Sequence, residues 1–369
     1  MLLTRRKLLQ AGAAACAAPL LGCGTPPAAE GVPRLRLLGQ STLAHRLRFQ
    51  GTTVGGLSAI DFDPATGAWV VLSDDRSALN PARFYTLRLD VADPALRVDL
   101  QSVVTLRQAD GQPYPPRRLG GEVVDPEGLR LLPGGAGLLW TSEGDPRLGL
   151  HPSLHQAGLD GVQVRAFETP RMLQFPGPRQ NHTFEGLALA PDARTAWVAM
   201  EGALEQDGAL PKVGTPGAPC RITAFDVAAG RAVRQIAYVP DAIPHRPLIP
   251  GGIAGNGISE ILMIDAHRML VLERAYSLGI GTSLRLYEID TREASDTLAM
   301  AKLEPGGFCP AAKALVADFA RLPLLRTDNT EGMTWGPTLP NGRRTLVVVS
   351  DDNFNPLQVT QFAAFEYLD

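Results

Sequence analysis

The sequence predicts an all-β fold, a β-propeller of five or six four-stranded blades, and three observations predict it. Glycine and proline supply 38 and 31 of the 369 residues without a collagen-like period, which leaves little room for long helices and favours short strands joined by turns. One hairpin pattern recurs five times, with its central glycine at positions 56, 128, 186, 257 and 332. Most copies are followed by a third strand of alternating apolar and polar residues, the period-2 mark of a half-buried strand. Four antiparallel strands per repeat, set radially, close into a ring that protects sheet edges. Composition adds exclusions. An apolar content of 45% rules out an intrinsically disordered chain, and 35 basic against 38 acidic residues, a net charge of −3, give no basic bias toward nucleic acid.

Residues 1–23 read as an export signal. Arg5 and Arg6 precede an apolar stretch to Leu21 that is too short to span a bilayer comfortably, the form of a twin-arginine signal. The run ends Leu20-Leu21-Gly22-Cys23, which resembles a bacterial lipoprotein box with Cys23 lipidated as the mature N-terminus. Cleavage within the Ala-rich 13–18 stretch is the other reading. Residues 24–33 form a Pro/Ala tether, and 34–369 the propeller domain. The expected product is a monomer in the periplasm or cell envelope, touching the membrane only through a lipid on Cys23. Export permits a disulfide between Cys220 and Cys309, and two separate thiols are the alternative. No Cys/His cluster has zinc spacing.

The first hairpin runs from Gly55-Gly56-Leu57 through a turn at 64–67 to Trp69 and Asp74-Asp75. The others open at Glu127-Gly128-Leu129, Glu185-Gly186-Leu187, Asn256-Gly257-Ile258 and Glu331-Gly332-Met333. Third strands follow at 84–90, 154–160 (weakly), 222–226, 284–290 and 362–366, and fourth strands are expected at 100–106, 162–167, 232–239 and 298–303. The fifth copy runs out after three strands, and residues 35–43 can supply its fourth and close the ring. Ala, Leu, Val and Phe recur at helical spacing over 311–322, where a helix is expected; a sixth, degenerate blade would lie in 98–126 or 291–328. Trp69, Trp140 and Trp197 fall at equivalent second-strand positions and read as blade packing; Trp335 lies on a first strand.

In an antiparallel hairpin the start of one strand lies beside the end of the next. The residue before each glycine and the residue closing each second strand therefore share one rim. The closing positions, Asp74, Glu143, Glu201, Glu273 and Asp351, are acidic in every copy, and the opening positions are Gly55, Glu127, Glu185, Asn256 and Glu331. With the first strand innermost, eight carboxylates converge at the channel mouth, where like charges raise one another's pKa. Such a set suits Ca2+, which takes six to eight oxygen ligands. The recurrence points to one shared role, either cation binding or bonding to the next blade's backbone.

Arg76, Arg147 and Arg274 lie beside closing acids, as forks for phosphate or carboxylate or as plain ion pairs with those acids. Arg171, Arg179 and Lys212 surround the third copy, and His182, just before Glu185, is a rim candidate for substrate contact. The Gly134-Gly135-Ala136-Gly137 run sits between strands, so it is turn chemistry, and no Gly-x-Ser-x-Gly elbow occurs.

The strings Gly55-Gly56-Leu57-Ser58, Leu72-Ser73-Asp74-Asp75-Arg76 and Ala82-Arg83-Phe84-Tyr85 resemble the opening of bacterial phytase-like proteins, described as having phytase esterase-like activity. So do Asp125-Pro126-Glu127-Gly128, Thr141-Ser142-Glu143-Gly144, Phe184-Glu185-Gly186-Leu187, Asn329-Thr330-Glu331-Gly332 and Ser350-Asp351-Asp352-Asn353. The resemblance covers about residues 35–369. It implies calcium-dependent hydrolysis of a small phosphorylated or ester substrate. Asp74, Glu127, Glu143, Glu185, Glu201, Glu273, Glu331 and Asp351 would be metal ligands, with Arg76, Arg147 and Arg274 holding phosphate oxygens, and His182 stands beside them as a candidate catalytic residue from its place on the rim. Gly55 and Asn256 depart from an opening Glu, and phytate-binding lysines are not evident, which favours a smaller phosphoester. The rival reading is a non-catalytic envelope lipoprotein that binds a ligand or protein partner through the same rim, with structural calcium.

Overall fold

The computed structural model describes residues 33–92 and 94–368; the export signal, the Cys23 box and all but the last residue of the tether lie outside the described residues. β1 (Leu35–Thr42) comes first, followed by a short hairpin of β2 (Arg48–Phe49) and β3 (Thr52–Thr53). Sheet I is β4 (Leu57–Asp63), β5 (Ala68–Ser73), β6 (Arg83–Ala92) and β7 (Ala95–Thr105). Sheet II is β8 (Pro126–Leu131), β9 (Leu138–Ser142), β10 (Ser153–Ala157) and β11 (Gln163–Ala166). Sheet III is β12 (Phe184–Leu189), β13 (Thr195–Met200), β14 (Cys220–Asp226) and β15 (Arg231–Tyr238). Sheet IV is β16 (Ala254–Met263), β17 (Arg268–Ser277), β18 (Gly281–Asp290) and β19 (Lys313–Asp318). β20 (Asn329–Thr338), β21 (Arg344–Asp351) and β22 (Gln361–Tyr367) form sheet V, and β1 completes it, antiparallel to β22 with Leu35 opposite Tyr367. The chain's first strand thus closes its last sheet, as the pattern at 35–43 implies, and a single parallel pair, Gln40 with Ala95, joins it to the edge of sheet I.

The first strands pack on one another in the order β4, β8, β12, β16, β20 and back to β4, so the sheets are the blades of a β-propeller. The recurring glycine permits that approach. A Cβ on Gly186 would stand 2.8 Å from the Ile261 nitrogen of sheet IV, and one on Gly332 would stand 2.9 Å from Ala59 Cα of sheet I. Five apolar clusters fill the five gaps between neighbouring sheets: Leu72 with Trp140, Leu154 with Val198, Ile222 with Val271, Leu286 with Phe365, and Val349 with Ile60. Each large side chain buried there contributes roughly 1.5–3 kcal/mol, so packing outweighs the surface ion pairs, worth about 0–1 kcal/mol each. Trp69, Trp140 and Trp197 are all buried in these gaps.

Two expectations are corrected. Residues 311–322 form no helix; Lys313–Asp318 is β19, paired with β18, and a 3-10 turn follows at Phe319–Arg321. The expected strand at 298–303 does not form, and β19 takes its place as the fourth strand of sheet IV. A six-residue run with Val316 and Ala317 buried fits helical and strand spacing equally, and pairing with β18 decides between them. Among the described residues, 106–125 and 291–312 add no further sheet. No disulfide joins Cys220 and Cys309.

One buried ion pair ties the five described sheets together. Arg130 of β8 donates through Nη1 to the Ile60 carbonyl of sheet I. Its Nη2 donates to the Met333 carbonyl of sheet V and lies 2.9 Å from Glu260 Oε2 of sheet IV. Glu260 Oε1 accepts the Leu187 N–H of sheet III at 2.9 Å. Both side chains are fully enclosed, and burial pushes the Glu260 carboxyl up to about 7 against the opposing pull of Arg130 and two backbone N–H groups.

Candidate active site

Each first strand carries a β-bulge next to its glycine, with register shifts at 57–59, 126–129, 184–187, 258–260 and 330–332. A bulge re-aims the side chain beside it. Here it sits just inside the rim where opening and closing residues meet, and Glu260 of the buried ion pair bounds the bulge of its own strand.

Asp125, Glu127 and Glu143 bring one carboxylate oxygen each within 4.8 Å of one another. Arg76 Nη2 lies 2.6 Å from Asp125 Oδ2 and 4.0 Å from Glu143 Oε2. Asp125 is 3% exposed, and its Oδ1 has no hydrogen-bond partner among the described residues. Glu143 also holds the next blade, since its Oε1 accepts the Thr183 N–H at 3.0 Å. Opposite, Arg274 stands among three carboxylates: Glu331 at 2.9 Å and Glu185 and Glu201 at 3.3 Å. Arg274 also donates to Asn329 Oδ1, and the Asn329 amide donates to Glu331 (3.0 Å) and Asp351 (3.3 Å). His182 Nδ1 is 2.8 Å from Glu201 Oε2, and Nε2 has no partner among the described residues.

The groups read one another's charge. Burial first, then the fields of Glu331 and Asp125, holds the Asp74 carboxyl well above the usual carboxylate range. Glu127 is raised by burial and then by Glu185 and Asp125; Glu185 by burial, Glu201 and Glu143; Asp351 by burial, Asp74 and Glu331. Asp125 is raised by burial and Glu143 despite the opposing pull of Arg76. For His182, burial works against the charged form, yet the hydrogen bond to Glu201 and the fields of Glu201 and Glu143 hold its affinity for a proton above the ordinary histidine value. Eight carboxylates (Asp74, Asp125, Glu127, Glu143, Glu185, Glu201, Glu331, Asp351) thus share one mouth with two arginines and one histidine.

Seven of the eight acids expected as ligands are in this ring, with Arg76, Arg274 and His182. Glu273 is not. Its carboxylate accepts from Tyr238 Oη (2.6 Å), the Asp241 N–H (2.9 Å) and Asn256 Nδ2 (2.7 Å), and Lys313 Nζ lies 2.5 Å away, so it is neutralised as an architectural group. Asn256, at the opening position that three other copies fill with Glu, serves this cluster. Arg147 also stands apart, exposed on its loop, and the neighbouring Asp145 pairs with Arg117 at 2.7 Å. Arg171 and Lys212 are exposed, and Arg179 pairs with Glu205 at 2.7 Å. Gly55 replaces a Glu because a Cβ there would lie 2.7 Å from Asp352 Oδ1 and 2.8 Å from the Phe354 ring. Sequence reasoning missed Asp125 and Asn329 as ring members; each lies two residues before an opening acid, a position that the repeat fills with varied residue types.

An oxygen-only donor set with an unsatisfied buried carboxylate oxygen fits a hard divalent cation such as Ca2+. Raised carboxylates bind protons more tightly folded than unfolded, so the stability they contribute is present below the ordinary carboxylate range and is lost as pH rises through the raised values. Calcium bound among these carboxylates would offset that loss, so chelated protein is expected to melt progressively further below calcium-supplemented protein as pH rises above the ordinary carboxylate range. His155, which burial pushes down to about 4 despite its bond to Gln163, acts in the opposite sense but equally in both samples. Melting curves with EGTA or calcium check this; a gap that is constant or narrows with pH contradicts it.

A family model described as phytase-like, esterase-like activity of phytase, matches residues 52–354. No curated protein matches the chain. Among solved structures, the periplasmic gluconolactonase PpgL of Pseudomonas aeruginosa is 13% identical, with 86% of this chain and 87% of that one covered at a TM-score of 0.36. The gluconolactonase XC5397 of Xanthomonas campestris is 14% identical, with 93% and 98% covered at 0.34. Hydrazine synthase of Kuenenia stuttgartiensis is 13% identical at a TM-score of 0.37; 86% of this chain is covered, but it spans only 66% of that chain.

Proposed function

This chain belongs to the phytase-like family, whose description is the esterase-like activity of phytase, and from that premise we propose that it is a calcium-dependent phosphoric monoester hydrolase working at the carboxylate ring. The observation that carries the reading is Asp125, a buried carboxylate with an unpartnered oxygen, within 4.8 Å of Glu127 and Glu143 and beside Arg76. Asp125, Glu127 and Glu143 would hold the cation, and Asp74, Glu185, Glu331 and Asp351 extend the donor set. Bound there, Ca2+ supplies positive charge for the phosphate oxygens and lowers the pKa of a water.

The chain's own residues do the rest. Arg76, one-third exposed, keeps N–H groups beyond its contact with Asp125 to orient a phosphate oxygen. His182, anchored through Nδ1 by Glu201, which raises its affinity for a proton, gives its Nε2 proton to the departing alcohol oxygen as the P–O bond breaks and water oxygen joins phosphorus. The proton that water loses is taken up by the ring, where burial and neighbouring charges raise the proton affinity of Glu127 and Glu185. We place this chemistry outside the cytoplasm, on the export signal in residues 1–23.

The test is hydrolysis of an aryl phosphate by purified protein. Turnover stops in EGTA, returns with added calcium, and falls with rising pH in His182→Gln far less than in the native protein. A folded protein without turnover at any calcium concentration, yet melting lower in EGTA, would instead be a binding module with structural calcium.

A further inference from the structure

Several exposed apolar side chains, Tyr276, Ile280 and Leu357 among them, stand on the rim beside the ring. A cleft of about 620 Å3 lies between the β17–β18 hairpin and two loops of sheet V, lined in part by Tyr276, Ile280, Arg326, Asn355, Leu357 and Gln358. Such a volume is ordinary for a small-molecule site. The cleft abuts the ring: Tyr276 lies two residues beyond Arg274 on the same face of β17, and the lining residue Asp328 immediately precedes Asn329, which Arg274 holds. Leu357 is 76% exposed and Ile280 47%. Around them stand Ile253 and Leu325, 75% and 85% exposed, with Leu248 packed against Gly279 of the hairpin. Burying such side chains under a ligand is favourable, while leaving several together in water is not expected of an idle surface.

The charge in the cleft is already engaged. Arg326 Nε lies 2.9 Å from Asp328 Oδ2, and its Nη2 donates to the Leu357 carbonyl, so this guanidinium fixes the wall. Asp328 also accepts the Asn329 N–H (2.9 Å) and the Val359 N–H (3.1 Å). Beside these engaged polar groups, what the cleft offers a ligand is the exposed side chains of Tyr276, Ile280 and Leu357.

We propose that this cleft seats the apolar alcohol portion of the substrate, making the preferred class phosphomonoesters of aryl or medium-chain alkyl alcohols. The inference rests on the hydrolase reading above and specifies its substrate. An alkyl chain leaving the phosphate at the ring passes Arg274 and Asn329 and reaches Tyr276, Ile280 and Leu357.

The test uses the full mature chain with calcium and reads binding apart from turnover. Calorimetry with ethyl-, butyl- and hexylphosphonate, which are not hydrolysed at the P–C bond, gives Kd along the series, and the matching alkyl phosphates give kcat and KM. With each added methylene about half-buried, affinity rises roughly two-fold per carbon, about ten-fold or more from ethyl to hexyl. In Ile280→Ser/Leu357→Ser, both solvent-facing and outside the ring, that gradient flattens while ethyl phosphate turnover is unchanged. Equal Kd across the series in the native protein overturns the proposal, whether or not the esters are hydrolysed. A graded Kd with no turnover of any ester keeps the cleft assignment and removes the hydrolase reading. A flat series with sedimentation on phosphatidylcholine vesicles, lost in the double variant, would make the surface a lipid face and likewise overturn it.

Discussion

Arg130→Met lowers stability by about 3–5 kcal/mol, the usual consequence of leaving one member of a buried ion pair without its partner. Three losses coincide in that variant. Glu260 remains enclosed with its Oε2 unpaired, and the carbonyls of Ile60, Ile261 and Met333 lose their donor. The blades also lose the side chain that joins sheets I, II, IV and V. Adding Glu260→Gln separates charge from connectivity. A glutamine Oε1 still accepts the Leu187 and Ile261 N–H groups, but no buried charge is stranded, so Arg130→Met/Glu260→Gln recovers more than half of the lost stability. Urea unfolding at saturating calcium reads both variants. A single variant as stable as the native protein, or a double variant no better than the single, contradicts this picture of the ion pair.

Asp125→Asn and Glu127→Gln each weaken calcium binding by at least ten-fold and reduce kcat/KM by about a hundred-fold or more at fixed calcium. They differ in a second readout. Relieving burial and repulsion makes the chelated forms of both variants melt higher than chelated native protein, because a neutral amide replaces a carboxylate whose ionised form is penalised in the fold. The gain is smaller in Asp125→Asn, which also gives up the 2.6 Å contact with Arg76. Chelated variants that melt lower than chelated native protein, or that keep native calcium affinity, count against a cation-binding ring.

Much of the architecture was legible because it repeats. Period-2 alternation and the recurring glycine at the start of each hairpin identify the hairpins, and the shortage of strands after Glu331 identifies β1 as the closing one. The clustering of the acids followed from hairpin geometry alone, since partners at strand ends must share a rim. What stayed hidden depends on which neighbour each acid finds. Glu273 is indistinguishable in pattern from Glu201, yet Lys313 comes from a strand read as helix, and with Tyr238 and Asn256 it fills one cluster around Glu273. Arg147 and Arg76 both follow closing acids, but only Arg76 turns to Asp125. The Arg130–Glu260 pair joins residues 130 positions apart and carries no periodic mark at all.

The most direct measurement is anomalous diffraction from crystals of the mature protein soaked with calcium or a lanthanide substitute. A peak bonded to Asp125, Glu127 and Glu143 at about 2.3–2.6 Å, absent in Glu127→Gln, is the predicted result. A ring that stays without metal at saturating concentration, its carboxylates held only by arginines and backbone amides, would contradict it.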